Sequence, residues 1–147
     1  MALKMTNRKI HPQTYAKEIA KNIQTIGNNA CCAFTTMWAV GVIPDDNAEW
    51  IKIVSDAINS KVLKPNCTVI WADFIKWLTG RNIKVTFKKI DTIKDIIKPT
   101  PVLYRNEFTG FEHWVGVENG KIAFNSLEKS YTVENGHPIE CRIIELV

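Results

Sequence analysis

The hydrophobic pattern along this chain changes period once, close to residue 80, and that change divides it into two halves. In the first half the spacing is helical. Residues 12–23 (PQTYAKEIAKNI) carry an early proline and set Ile19, Ile23 and Ile26 on one face, which predicts a helix. Gly27-Asn28-Asn29 interrupts it as a loop. Residues 30–40 (ACCAFTTMWAV) are apolar nearly all round, the pattern of a buried helix, with stop signals at Gly41 and Pro44. Asp46 followed by Glu49 is a capping box opening a helix through Trp50, Ile53, Val54, Ala57 and Ile58. Thr68 is placed to cap another, carrying Ile70, Trp71, Phe74, Ile75, Trp77 and Leu78, with Gly80 at its end.

Beyond Gly80 the period becomes two. Ile83, Val85 and Phe87 alternate with Lys84, Thr86 and Lys88, which predicts a strand. A short helix is expected over Thr92–Ile97, then a Pro-led strand over Val102–Tyr104. His113–Val117 and Ile122–Asn125 flank Glu118-Asn119-Gly120, a hairpin signal. A last strand is expected over Ile139–Leu146. Helices first and a mainly antiparallel sheet afterwards make an α+β fold. At 147 residues the chain suits one domain, with a core over about 24–147 and a helical extension over 1–23.

Composition narrows the function classes. With 46% hydrophobic and 23% charged residues the chain is of globular type, without repeats or low-complexity tracts. The net charge is +4, but the lysines are scattered, and the run Lys84–Lys89 is the polar face of a strand; nucleic acid is not the expected partner. Lys4, Arg8, Lys9, Lys17, Glu18 and Lys21 break up the N-terminus before any signal-peptide core forms. No stretch approaches the ~18 apolar residues of a membrane span, so a cytoplasmic location is the expectation. The four cysteines lack ligand-pair spacing, which argues against a zinc site or a disulfide scaffold, and no metal or organic cofactor is implied. Cys67 and Cys141 read as small buried hydrophobes.

Cys31 and Cys32 differ from these two: either sulfur could pair with His113 as the nucleophile, and Cys31 is the first choice. Cys31 stands where the Gly27–Asn29 loop meets the buried helix, and a helix N-terminus lowers a thiol's pKa, as does an adjacent imidazolium. Of the three histidines, His11 and His137 precede prolines in expected loops; only His113 begins a predicted strand. The hairpin supplies a third group. A three-residue loop, 118–120, brings His113 opposite Asn125, whose carbonyl can fix the imidazole tautomer. A two-residue loop, Asn119-Gly120, brings it opposite Ser126 instead. Acyl transfer also needs an oxyanion hole: the Cys31 main-chain N–H is one donor, and Gln24, ahead of Asn28 and Asn29, is the expected side-chain donor. Trp114, on the other strand face from His113, is expected in the core.

These segments resemble a known family. Cys31-Cys32-Ala33-Phe34-Thr35 is similar to the nucleophile segment of papain-like cysteine peptidases, and Phe124-Asn125-Ser126-Leu127 to the segment bearing their third catalytic residue. The order DFIKWLTGRNIKVTF, PTPVLYR, HWVGV resembles the compact bacterial branch, the peptidase domains attached to bacteriocin exporters and their free-standing relatives. Cys32 stands where that superfamily has glycine or an aromatic, and Asn125-Ser126 where the bacterial branch has Asp-Pro. The resemblance implies a papain-like fold, a thioester intermediate on Cys31 and a peptide substrate. HWVGVENGKIAFN also resembles the hairpin of peptidoglycan endopeptidases, which implies the same residues on a peptidoglycan-type substrate. A papain-like module without catalysis, serving binding, and an acyltransferase are the other classes compatible with these groups.

Overall fold

The computed structural model describes Asn22 and residues 25–27, 29–127 and 130–146. The extension over 1–23 lies outside the described residues except for Asn22, whose amide donates to Ser55 Oγ at 2.9 Å. Gln24 and Asn28 also lie outside them.

The order of elements is α1 (Cys31–Ala39), α2 (Asn47–Asn59), α3 (Trp71–Thr79), β1 (Ile83–Lys89), β2 (Thr100–Arg105), β3 (Glu112–Glu118), β4 (Lys121–Phe124), α4 (Tyr131–Glu134) and β5 (His137–Leu146). The α+β class follows: the strands form one antiparallel sheet in the order β1-β5-β2-β3-β4. Among the described residues no helix is long and apolar enough to cross a membrane.

Local chemistry sets most boundaries. Asp46 accepts the Glu49 N–H at 2.8 Å and starts α2. Gly80, at φ 72°, ends α3 in the left-handed region that glycine enters without a Cβ clash. Thr68 does not cap α3. Its own N–H goes to Asn66 Oδ1, Leu63 and Val69 form a bridge, and the helix starts at Trp71 with no side-chain cap. The expected helix over Thr92–Ile97 is irregular chain. Six residues hold too few hydrogen bonds to offset helix nucleation, and the Ile96 and Ile97 carbonyls accept from Gly120 and Asn119 at the hairpin tip. Pro101 is tolerated in the sheet because pairing with β5 begins only at Val102.

The two sheet faces are covered differently. Trp38, on α1, lies against Gly116 of β3 so closely that a Cβ there would collide with the indole. Phe124 stacks on Trp38 and Trp50, and with Phe34, Met37, Ile51, Val54 and Phe74 forms the main core. The opposite face carries Val102, Tyr104, Val115, Val117 and Cys141, closed by Ile90, Ile93, Ile96 and Val133. Segment 90–97 is therefore a cover for this face, its isoleucines spaced by three.

The hairpin differs from expectation in register. Asn119 (φ 54°) and Gly120 (φ 74°) form a two-residue turn with both φ positive, and Glu118 pairs with Lys121. One step later a bulge intervenes: Val117 pairs with Ile122 but Gly116 with Phe124. Neither loop considered from the sequence places a residue directly opposite His113, because the ladder ends at Phe124.

Candidate active site

Cys31 is the first residue of α1, but the chain ahead of it is not a loop. Thr25, Ile26, Gly27 and Asn29 are helical, and the Ala30 N–H donates to Ile26 O at 3.1 Å. Gly27 has space around it and no positive φ, so the helical path passes through it. Cys31 thus lacks the open helix N-terminus expected, and no side chain caps α1.

What holds Cys31 is the edge of the sheet. β4 pairs only with Gly116–Glu118, so β3 has no strand neighbour on that side over residues 112–115. There α1 takes the place of a strand. Thr35 Oγ1 donates to Cys31 O at 2.6 Å and has Trp114 O 3.4 Å away, so the first turn of α1 lies against β3 at Trp114. Cys31 and Trp114, the residue after His113, line the same cavity.

Burial raises the Cys31 pKa, against the main-chain N–H groups of Trp114, Cys32 and Cys31 itself, which favour the thiolate. Cys32 is pushed up further, first by burial and then by the neighbouring Cys31, with Arg142 opposing. Of the two, Cys31 is the more ionisable, and the N–H groups single out its sulfur.

His113 is 4% exposed and shares its sheet face with Tyr104 and Val115, opposite to Trp114. Its Nε2 meets Asn125 Oδ1 at 2.8 Å. Asn125 reaches the ring from the loop beyond β4, and the same oxygen accepts the Leu127 N–H at 3.0 Å, which fixes the amide's orientation. The pairing expected from the sequence is present, but through a loop rather than through cross-strand register. Since Oδ1 can only accept, Nε2 carries the proton and Nδ1 is the basic nitrogen. Burial lowers the His113 pKa below its ordinary 6.5, with the Asn125 contact acting in the other direction. Both shifts favour the neutral forms of the ring and the thiol. Ser126 is fully buried, and its hydroxyl has no partner among the described residues, so it is not the acceptor.

A cavity of about 480 Å3 opens beside Cys31, lined by Cys32, Asn66, Cys67, Trp71, Trp114 and Arg142 among others. Trp114 is half-buried on this cavity and tilted against Trp71, with ring centroids 5.4 Å apart, so it is a cavity wall and not core as expected. Larger and similar pockets lie elsewhere, but none of them borders a thiol and a histidine-bearing strand end.

Several residues here escaped sequence reasoning. Cys67, expected as a plain core residue, lines the cavity with φ 68°, a strained value for a side chain with a Cβ. Burial and the neighbouring Cys31 push its thiol up to about 12. Arg142, within the apolar run of β5, is stacked by three aromatic rings; an arginine between Cys141 and Ile143 was the available signal. All four cysteines are free, and among the described residues no cluster of three or more His, Cys, Asp or Glu side chains is placed to hold a metal ion. No protein-family model, curated protein or solved structure matches this chain.

Proposed function

We propose that this chain is a papain-like thiol hydrolase that cleaves an amide or peptide bond. The observation that carries this reading is the His113 Nε2–Asn125 Oδ1 hydrogen bond of 2.8 Å, one residue from Trp114, which lines the cavity with Cys31. An acceptor on Nε2 leaves Nδ1 as the base, the division of labour a nucleophile–imidazole–amide triad needs.

In this reading the thiolate forms in step with attack. His113 Nδ1 takes the Cys31 proton as sulfur adds to the substrate carbonyl, because burial disfavours separated charges before substrate arrives. The oxyanion is held by main-chain N–H at Cys31, with Gln24 as the proposed side-chain donor. Collapse expels the amine, which receives the proton from His113 and leaves an acyl thioester on Cys31. Water, deprotonated by His113, then hydrolyses the thioester and restores the thiol. A peptidoglycan-type substrate would be handled by the same residues.

A second reading, a papain-like binding module without catalysis, is favoured by one fact: both thiols lie above their ordinary pKa and His113 below its own. Alkylation with iodoacetamide at neutral pH, mapped by mass spectrometry, separates the two. The hydrolase reading expects Cys31 to react well ahead of Cys32, Cys67 and Cys141, and to lose at least about a hundredfold in rate in His113→Ala, the scale of general-base catalysis. Equal and slow labelling of all four thiols would exclude it.

A further inference from the structure

Arg142 is held in an unusual way for a residue beside a nucleophile. Its guanidinium carbon lies 5.4 Å from the Trp71 ring, 4.8 Å from Phe87 and 5.4 Å from Trp114. These contacts come from three elements: Phe87 is the cross-strand partner of Arg142 on β1, Trp71 opens α3, and Trp114 is on β3. Rings around a delocalised cation fix its plane and its direction. Nη1 donates to Glu140 Oε2 and, at 3.5 Å, to Cys141 O. Nε and Nη2 have no acceptor among the described residues, and the side chain keeps 19% of its surface exposed on the cavity it shares with Cys31.

The charge balance around this cavity is settled except at that edge. Glu112, the other charged lining residue, is engaged by Arg105 through Nε and Nη2. Glu140 is engaged by Arg142 through one nitrogen only. The Nε/Nη2 edge of a guanidinium presents two parallel N–H groups, the spacing that matches the two oxygens of a carboxylate. Trp71 and Trp114 supply flat apolar walls beside it.

The geometry points to Arg142 as a carboxylate-recognition group, so that the cavity takes an anionic substrate whose carboxylate sits next to the carbonyl that Cys31 attacks. That the bound anion is a substrate rests on the thiol-hydrolase reading; that an anion binds does not. The carboxylate can belong to an acidic side chain or to a chain end, since both present the same two oxygens.

Paired alkylating reagents test this at Cys31 itself. Iodoacetate and iodoacetamide differ only in charge, and the ratio of their rates at Cys31 is compared with the ratio in the denatured chain. The native ratio is expected to favour iodoacetate by at least about tenfold more than the denatured one, the scale of a hydrogen bond to a charged group. Arg142→Gln should abolish that preference, Arg142→Lys should retain part of it because the charge stays while the fork is lost, and Glu140→Gln should raise it. A native ratio equal to the denatured one, or one unchanged in both folded Arg142 variants, overturns the proposal. His113→Ala slows both reagents alike if His113 is the base, so a failure of the hydrolase reading and a failure of this one leave different traces.

Chloroacetyl-alanine against its amide, and chloroacetyl-glutamic acid amide against the glutamine analogue, then assign the carboxylate to a chain end or to a side chain; no preference in either pair overturns the proposal. Should Cys31 prove inert, tryptophan fluorescence titrated with N-acetylglutamate and N-acetylglutamine reads the same site through Trp71 and Trp114. A response to the acid alone, lost in Arg142→Gln, supports the inference, and equal responses overturn it.

Discussion

The two faces of the sheet are built for different purposes. On the helix side, Leu103, Trp114 and Arg142 stand among large rings and border an open cavity of about 480 Å3. On the other side, Val102, Tyr104, Val115, Val117 and Cys141 are shut beneath isoleucines, with few polar groups to satisfy. Cys31 borders the cavity on the first face, the His113 ring stands on the second, and both lie near the end of β3 that β4 leaves unpaired. The difference shows how a strand end can serve both faces. A ring on the closed side stays neutral by burial, while the cavity beside the thiol supplies access and charged recognition.

The comparison breaks first in the core under the helix face. Phe124→Ala removes the ring stacked on both Trp38 and Trp50 and should cost about 3–5 kcal/mol in denaturant unfolding. Val115→Ala on the closed face should cost about 1–2 kcal/mol, since fewer methyl groups are lost. Equal losses would mean that the two faces are not packed differently. Gly116→Ala should follow, at about 1–3 kcal/mol, by forcing a methyl against Trp38. Because α1 then moves away from β3, this variant should also slow alkylation of Cys31, which Val115→Ala should leave unchanged.

Asn125→Ala sharpens the site side of the contrast. It strips acceptors from both the His113 ring and the Leu127 N–H, for about 1–2 kcal/mol of stability, and frees the ring to change tautomer. Cys31 reactivity should fall in this variant even in samples that remain folded, and a stability loss without a reactivity loss would make Asn125 purely structural. Asp46→Ala is the distant control. It should cost about 1 kcal/mol through loss of the α2 cap, with no change at Cys31.

What the sequence revealed of this architecture depended on how local the cause was. Asp46 with Glu49, Gly80 and the alternation of β1 act within a few residues, and their elements stand where the pattern placed them. Thr92–Ile97 failed because its carbonyls are claimed by a hairpin tip more than twenty residues further along, which no local window contains. The break expected at Gly27 failed because a glycine in open surroundings can follow a helical path. The hairpin has the shorter of the two loops considered, and a bulge beyond it upsets the register, yet Asn125 still reaches His113 because a loop can deliver an amide that a ladder does not. Arg142 offered only the local signal of an arginine in an apolar strand, and its site role was not legible, since its three rings come from positions 71, 87 and 114.

The proposed coupling of Cys31 to His113 is tested most directly by the pH dependence of Cys31 alkylation in the native chain. His113 is depressed below 6.5, so it is neutral and able to accept a proton above that value and becomes protonated only as pH falls through its lowered pKa. The same shift means that its contribution to stability is complete above pH 6.5 and is lost over that acid range. Cys31 reactivity should therefore hold a plateau through neutral pH and fall with an inflection below 6.5, and His113→Ala should remove that limb. A rate that instead climbs through a single inflection above pH 9, identical in wild type and His113→Ala, would show a buried thiol titrating alone and would contradict the account.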